Sequence, residues 1–426
     1  MDLHGDNART KSNMSTNFLS EWSNFTRGTE APEQYYLWSG ISALSSIMGR
    51  RVWLPYGRFT FYPNIYTVLL GPAGNGKTTA MAIAKNLIRE LGIPFSAECQ
   101  TKESLVKEWI QYERTFEVNG KKLIYTPISI FVTELSHFLG PNSAHMIDFL
   151  TTTFDQDVYD AKTKNKGNDL IMGPAITMLA CTTPEWVTTY LKSDIISGGF
   201  SRRALFINEF EGKNRISFPE TSPEQKAAAM AFTTYARGLQ DVAGGFTWDP
   251  DARSFFAHWY ENYVLPTDPT IRSYHRTKHT QVMKVAMLIA LAESHDLVLR
   301  KHHLEITLEL FTGMEQNLLK VFQGMGRNEL NTVGTRMLDI IRANNGSISE
   351  KELLRVTSRD ASTQEQFSVL GHLEKTDQIV RLEQKTGNLK RIIITLPEVA
   401  AALQRGASSA PQSAPPSVDL FRDTSA

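Results

Sequence analysis

Cysteine is nearly missing from this chain, with only Cys99 and Cys181 among 426 residues. Two thiols far apart, outside any metal-ligand spacing, argue against a disulfide framework or a zinc site and fit a reducing cytoplasm. Net charge is missing too, since 45 Lys and Arg balance 45 Asp and Glu. Nucleic acid would therefore have to be met by local basic patches, not by a global field. Long apolar runs are also lacking. The most apolar helical stretch, Val282 to Ala292, is too short to span a bilayer and contains Lys284, so no membrane contact is expected. The first fifteen residues are polar and lack the apolar core of a signal peptide. What remains is an ordinary globular composition, 41% apolar and 21% charged, long enough for two or three domains.

Against that plain background one motif stands out: Gly71-Pro72-Ala73-Gly74-Asn75-Gly76-Lys77-Thr78. Asn64 to Leu70 before it reads as a buried strand, and Thr79 to Ile88 after it reads as a helix. A phosphate-binding loop needs this strand–loop–helix context. Gly71, Gly74 and Gly76 let the backbone turn its N–H groups toward an anion, and the helix N-terminus adds a favourable dipole. Lys77 suits the β- and γ-phosphates of ATP, and the Thr78 hydroxyl suits Mg²⁺. Gly71 to Thr79 is the predicted nucleotide-binding segment.

Helix and strand alternate from residue 64 to about 215, which predicts an α/β core with a parallel sheet. Residues 16–63 form a small helical and hairpin segment ahead of it. Residues 216–328 read as a helical lid. Residues 329–400 read helix, helix, helix and then a two-stranded wing, the order of a winged helix. The ends, 1–15 and 401–426, are expected to be disordered.

A phosphate loop needs a neighbouring strand that ends in an acid. Ile128 to Glu134 is the leading candidate, with Glu134 placed to activate water. Thr133 stands where the usual acidic pair has Asp. Glu98, at the end of Ile93 to Glu98, is the rival base. Ala175 to Ala180 predicts a third strand, after which Thr182 or Thr183 could sense the γ-phosphate, and either threonine could instead cap the helix that opens at Pro184-Glu185. Arg202 and Arg203 follow a Gly198-Gly199 turn and precede the apolar strand Ala204 to Ile207. That position suits a guanidinium finger acting in trans, with Arg202 as the candidate.

In this order, Asn64 to Thr79, Thr133-Glu134, Cys181 to Glu185 and Gly199 to Arg202 together resemble the helicase-like P-loop ATPases of phages, plasmids and integrated elements. These are often known only as a domain of unknown function or as the helicase half of a primase–helicase. Similarity covers most of residues 17 to 300. Ser201-Arg202 also looks like the finger of minichromosome-maintenance AAA+ helicases, which carry a C-terminal winged helix. The resemblance implies an AAA+/RecA-like sheet and an ATP-driven ring, expected to be a hexamer, acting in DNA replication. It also implies a lid cation at the nucleotide, Lys284 or Arg276. A nucleotide-switched assembly factor without unwinding activity is the alternative.

Lys162, Lys164 and Lys166 lie on a segment that in related helicases is a hairpin entering the central channel, where they would grip single-stranded DNA phosphates. Lys385, Lys390 and Arg391 on the wing are further candidates for DNA. Ser417-Val418-Asp419-Leu420-Phe421 resembles the peptide by which bacterial replication proteins bind the sliding clamp.

Overall fold

The computed structural model describes residues 17–140, 143–163, 167–190, 199–209, 215–267, 269–358, 360–386 and 389–406. It is a mixed α/β chain that divides into two units, Met1–Val321 and Phe322–Ala426. Among the described residues no helix is long and apolar enough to cross a membrane.

The first unit is built around one sheet. Its strands are β3 (Tyr66–Leu70), β4 (Arg114–Val118), β5 (Lys121–Val132), β8 (Pro174–Thr182) and β9 (Ala204–Asn208), in the order β4-β5-β8-β3-β9. β5, β8, β3 and β9 are parallel, and β4 is antiparallel to β5. A single parallel bridge, Phe95 to Ser129, sets the short segment before Glu98 beside β5. From β3 the chain therefore crosses to the far side of β5 and returns through β5 and β8 before crossing to β9. Reversal of strand order opens a crevice at the carboxyl ends of β3 and β8.

Every residue of β3, β8 and β9 is buried, as continuous apolar strands covered on both faces require. One cover is α2 (Glu33–Met48), in which Tyr35, Tyr36 and every residue from Trp38 to Met48 are buried. A helix that is apolar nearly all round belongs inside the protein. Its small polar residues are paired there: Ser42 Oγ donates to Thr67 Oγ1 at 3.0 Å, and Ser45 and Thr177 share a hydrogen bond of 2.7 Å. α1 (Phe18–Thr26) is capped by Asn17, whose side chain accepts from Ser20 N–H. Its Trp22 packs on Phe232 of the helix Pro223–Leu239, with ring centroids 5.1 Å apart. That helix opens with a Ser222/Gln225 capping box. Helices Pro250–Glu261 and Pro269–Glu293 follow, and then the helix that begins at Lys301.

At the amino end of β3 the helix Pro269–Glu293 inserts Lys284, which is fully buried. Its ammonium donates to Asn64 Oδ1 at 2.7 Å, pairs with Asp155 Oδ1 at 3.0 Å and lies 4.3 Å from the centre of the Phe154 ring. Burial pulls its pKa below the ordinary lysine value, and Asp155 opposes that pull. In the window between the folded and unfolded values, unfolding takes up a proton, so stability rises with pH. Asp155→Asn leaves the ammonium without its counter-charge and is expected to cost about 3 kcal/mol near neutral pH. The deficit should shrink as pH rises toward 10 and Lys284 sheds its proton. Thermal melts of both proteins from pH 7 to 10 check this, and a pH-independent deficit contradicts it.

The second unit has its own core, in which Met337, Ile341, Leu353, Leu370 and Ile394 are fully buried. Its sheet runs β13 (Ser347–Ser349), β15 (Leu389–Thr395), β14 (Val380–Thr386) in spatial order. Helices Glu350–Val356 and Thr363–Lys375 lie between β13 and β14 in the chain, capped by Ser349 and by a Ser362/Glu365 box. Lys385 pairs with Lys390 and Gln384 with Arg391 across the hairpin, and Arg391 is exposed.

Candidate active site

The carboxyl ends of the parallel strands meet along one edge, in the order Glu98, Glu134, Thr182, Gly71, Asn208. Gly71 to Gly76 leaves β3 there and runs into α3 (Lys77–Glu90). Gly76 caps this helix with φ +74, and a Cβ on it would lie 2.4 Å from that of Ala31. A Cβ on Gly71 would meet Tyr35 Oη at 2.2 Å and Glu209 O at 2.6 Å. Both positions need glycine.

Tyr35 buttresses the loop from α2. Its hydroxyl donates to Leu70 O and lies 2.9 Å from Glu209 O. Asn75 Nδ2 donates to Glu209 O at 2.9 Å and to Tyr35 Oη at 3.2 Å. Burial raises the Tyr35 pKa, so the phenol stays a donor. The sequence offered no local signal for this role beyond the apolar character of α2.

Lys77 is 8% exposed, and its ammonium donates to Gly71 O at 2.6 Å and Pro72 O at 2.7 Å. Burial lowers its pKa, opposed by the nearby Cys181, Glu134 and Glu185. Thr78 is exposed at the rim, near the buried Cys181 thiol. Burial pushes that thiol up to about 12, which makes Cys181 inert packing.

The two threonines after β8 separate cleanly. Thr183 Oγ1 accepts from Trp186 N–H at 3.3 Å and so caps α7 (Pro184–Tyr190). Thr182 is 1% exposed, and its hydroxyl has no partner among the described residues. A buried hydroxyl without a partner costs free energy unless something in the site completes it.

Glu134 follows β5, is exposed, and makes no cap bond to α5 (Leu135–Leu139). Glu98 is tied. It accepts from Lys85 Nζ at 2.8 Å and from Thr133 Oγ1 at 2.7 Å. The Lys85 hydrogen bond, helped by Thr133, holds its carboxyl below the usual range. Where an acid was expected, Thr133 brings in the carboxylate of the neighbouring segment.

Beside the outer face of the loop lies a cleft of about 950 Å³, bounded by Gly74, Gly76, Tyr36, Ile83 and Phe218. Phe218 is 84% exposed. Its walls come from three separate stretches of chain, so no local sequence pattern marks it.

Arg202 is not brought to this edge. It precedes β9, whose first residue pairs with Tyr66 and whose last pairs with Leu70. At ~3.3 Å per residue it stands more than about 13 Å from Gly71, at the amino end of the sheet. Arg203 is engaged locally, donating to Gly199 O at 2.9 Å with its guanidinium 5.9 Å from the Phe154 ring centre. Arg202 Nε has no partner among the described residues. The expectation that Lys284 touches the nucleotide is corrected, since its Asn64–Asp155 contacts hold it at the amino end of β3. Arg276 is exposed on the same helix.

Lys162 lies in β6 (Val158–Thr163), which pairs with β7 (Gly167–Met172) as an antiparallel hairpin. Lys164, Lys166 and the peptide Ser417 to Phe421 lie outside the described residues. Glu293, His302 and His303 cluster elsewhere, with Nε2 of each histidine 2.7 and 3.2 Å from Glu293 Oε2. They are ill suited to a metal. His303 Nδ1 accepts the Arg300 N–H at 3.0 Å, so its proton sits on Nε2, the atom that would have to ligate.

The loop edge can hold a polyphosphate. A glycine cradle, the free N–H groups at the start of α3, a buried ammonium and an uncompleted Thr182 hydroxyl converge there. Thr78 and water are suitable oxygen donors for Mg²⁺. The adjoining cleft is roomy enough for a nucleoside. No protein-family model matches this chain, and no match to it was found among curated proteins.

Proposed function

We propose that this chain is an ATP-driven DNA helicase or translocase, with a P-loop ATPase core, a helical lid and a C-terminal winged helix, working as a ring of identical subunits, six in the family it resembles. The observation that carries the reading is the convergence of buried Lys77, exposed Glu134 and unpartnered Thr182 on the glycine loop. ATP would lay its phosphates along Gly71 to Thr78 and its nucleoside in the cleft beside Phe218. Thr78 would hold Mg²⁺, which supplies charge neutralisation. Glu134 takes a proton from water as the water oxygen bonds the γ-phosphorus and the bond to ADP breaks. Thr182 holds that water, and Lys77 offsets the charge on the phosphoryl oxygens.

The distance of Arg202 from its own loop supports its use on a neighbour's. A ring subunit presents one edge to each neighbour, and a guanidinium at the interface couples hydrolysis to assembly. The register that sets Lys385 opposite Lys390, with exposed Arg391 next along β15, supports a DNA contact at the wing.

ATP hydrolysis measured with and without single-stranded DNA, alongside strand displacement, tests the proposal. DNA-stimulated hydrolysis with displacement is expected. One observation favours a second reading, a nucleotide-switched assembly factor: Glu98 is already tied to Lys85 and Thr133, which leaves the activation of water to Glu134. DNA-independent hydrolysis without displacement would select it. Lys77→Ala and Arg202→Ala proteins, each inactive alone, should regain activity when mixed, because each supplies what the other lacks. A mixture that stays inactive contradicts the shared site.

A further inference from the structure

The sheet carries a second hairpin that the composition did not announce. β4 and the first part of β5 pair from Arg114–Tyr125 at the stem to Val118–Lys121 at the tip. Asn119 and Gly120 have φ of +52 and +74, the two left-handed residues of a type I′ turn. Four residue steps at ~3.4 Å put the tip about 13 Å beyond the stem.

Its stem adjoins that of the β6–β7 hairpin. Thr126 N–H donates to Gly173 O at 3.0 Å, and Thr126 Oγ1 donates to Met172 O at 2.7 Å. Both hairpins thus spring from the amino edge of the sheet, the edge opposite the glycine loop.

The distal residues are unlike an inert surface turn. Lys121, Lys122, Leu123 and Ile124 are all exposed, with Leu123 at 36% and Ile124 at 44%. Alternation puts Lys122 and Ile124 on one face with Thr115 and Glu117, all exposed. The other face is half-covered, where Phe116 meets Tyr125 edge-on at 5.5 Å. From Arg114 to Ile124 three cations stand against one acid, in a chain of zero net charge. Ammonium groups beside exposed aliphatic side chains on a stiff ribbon match a single strand, which offers phosphates and unstacked bases together.

We propose that the Arg114–Tyr125 hairpin is a second nucleic-acid contact, with Lys122 on the phosphates and Ile124 against the bases of a single strand on their shared face, and Lys121 meeting a further phosphate from the other face where the strand rounds the tip. This rests on the reading of the chain as a DNA-acting ATPase. Full-length protein binding a fluorescein-labelled 20-nucleotide oligothymidine, followed by anisotropy across salt, tests it. Lys121→Ala with Lys122→Ala should weaken binding roughly tenfold and lower the slope of log affinity against log salt by about 1.4, at about 0.7 per phosphate contact. Lys121→Arg with Lys122→Arg should keep both, which separates charge from folding. Light scattering reports assembly in the same samples. A wild-type slope in the alanine variant overturns the proposal. So does a slope that falls only together with loss of assembly, which would assign the hairpin to a contact between copies. Wild-type protein that binds no oligothymidine even at low salt fails the DNA reading itself, a different result from a variant that behaves like wild type.

Discussion

Lys77→Ala should cut ATP hydrolysis by about 10²–10³-fold or more, the usual loss when one preorganised charge donor is removed from a phosphoryl or oxyanion site, and should leave the fold intact. The two halves of that expectation come from the same geometry. Lys77 is 8% exposed, and its ammonium donates to Gly71 O and Pro72 O within the loop. Burial lowers its pKa, so the folded state bears a desolvation cost for keeping it charged. Deleting it relieves that cost and opens a small space at a solvent-facing edge, so the melting temperature should hold within a few degrees. A structural lysine behaves oppositely, as Lys284 does where its contacts tie Asn64 to Asp155. Phosphate release and thermal melts on one preparation make the comparison. A variant that melts early and loses activity in proportion would class Lys77 as structural. One that hydrolyses ATP normally would remove the loop from the chemistry.

The strand–loop–helix at Gly71 and the cap at Thr183 were legible because each is written in neighbouring residues, whereas the β6–β7 hairpin was an expectation from the family resemblance. Glycine positions and a hydroxyl one residue before Pro184 are local signals, whereas Gly167-Asn168, which reads as a turn, belongs to β7 and pairs with Thr163 and Lys162. What stayed hidden is non-local. Lys284 looked like a lid cation because a helix face read from sequence carries no depth. Its neighbours Val282, Met283, Val285 and Ala286 are all fully buried, and that all-round burial pointed inward. The Glu98–Thr133 bond joins segments 35 residues apart, so Thr133 read as a missing acid when it tethers one. The loop's support by Tyr35 depends on how α2 lies across β3. Asn119-Gly120 is a different case, a two-residue hairpin signal that is local and stands in the sequence itself.

The tether also decides which carboxylate should matter most. A general base must be free to take a proton and must reach the water beside the γ-phosphate. Glu98 already accepts from Lys85 and Thr133, and the lysine lowers its proton affinity. Glu134 sits one strand nearer Thr182, exposed and without a cap bond, and close enough to oppose the burial that lowers the Lys77 pKa. Glu134→Gln should therefore lower the hydrolysis rate by about 10²–10⁴-fold while nucleotide binding persists, since the amide keeps the shape and removes only the proton acceptor. Glu98→Gln should cost less than about tenfold, because Thr133 can still donate to the amide oxygen and the loss is one partly exposed ion pair. Single-turnover hydrolysis with a separate fluorescent-nucleotide titration resolves rate from affinity. If the two variants exchange behaviours, Glu98 is the base and Lys85 must release it during turnover. If both lose only affinity, neither carboxylate handles the proton, and the switch reading gains over the motor.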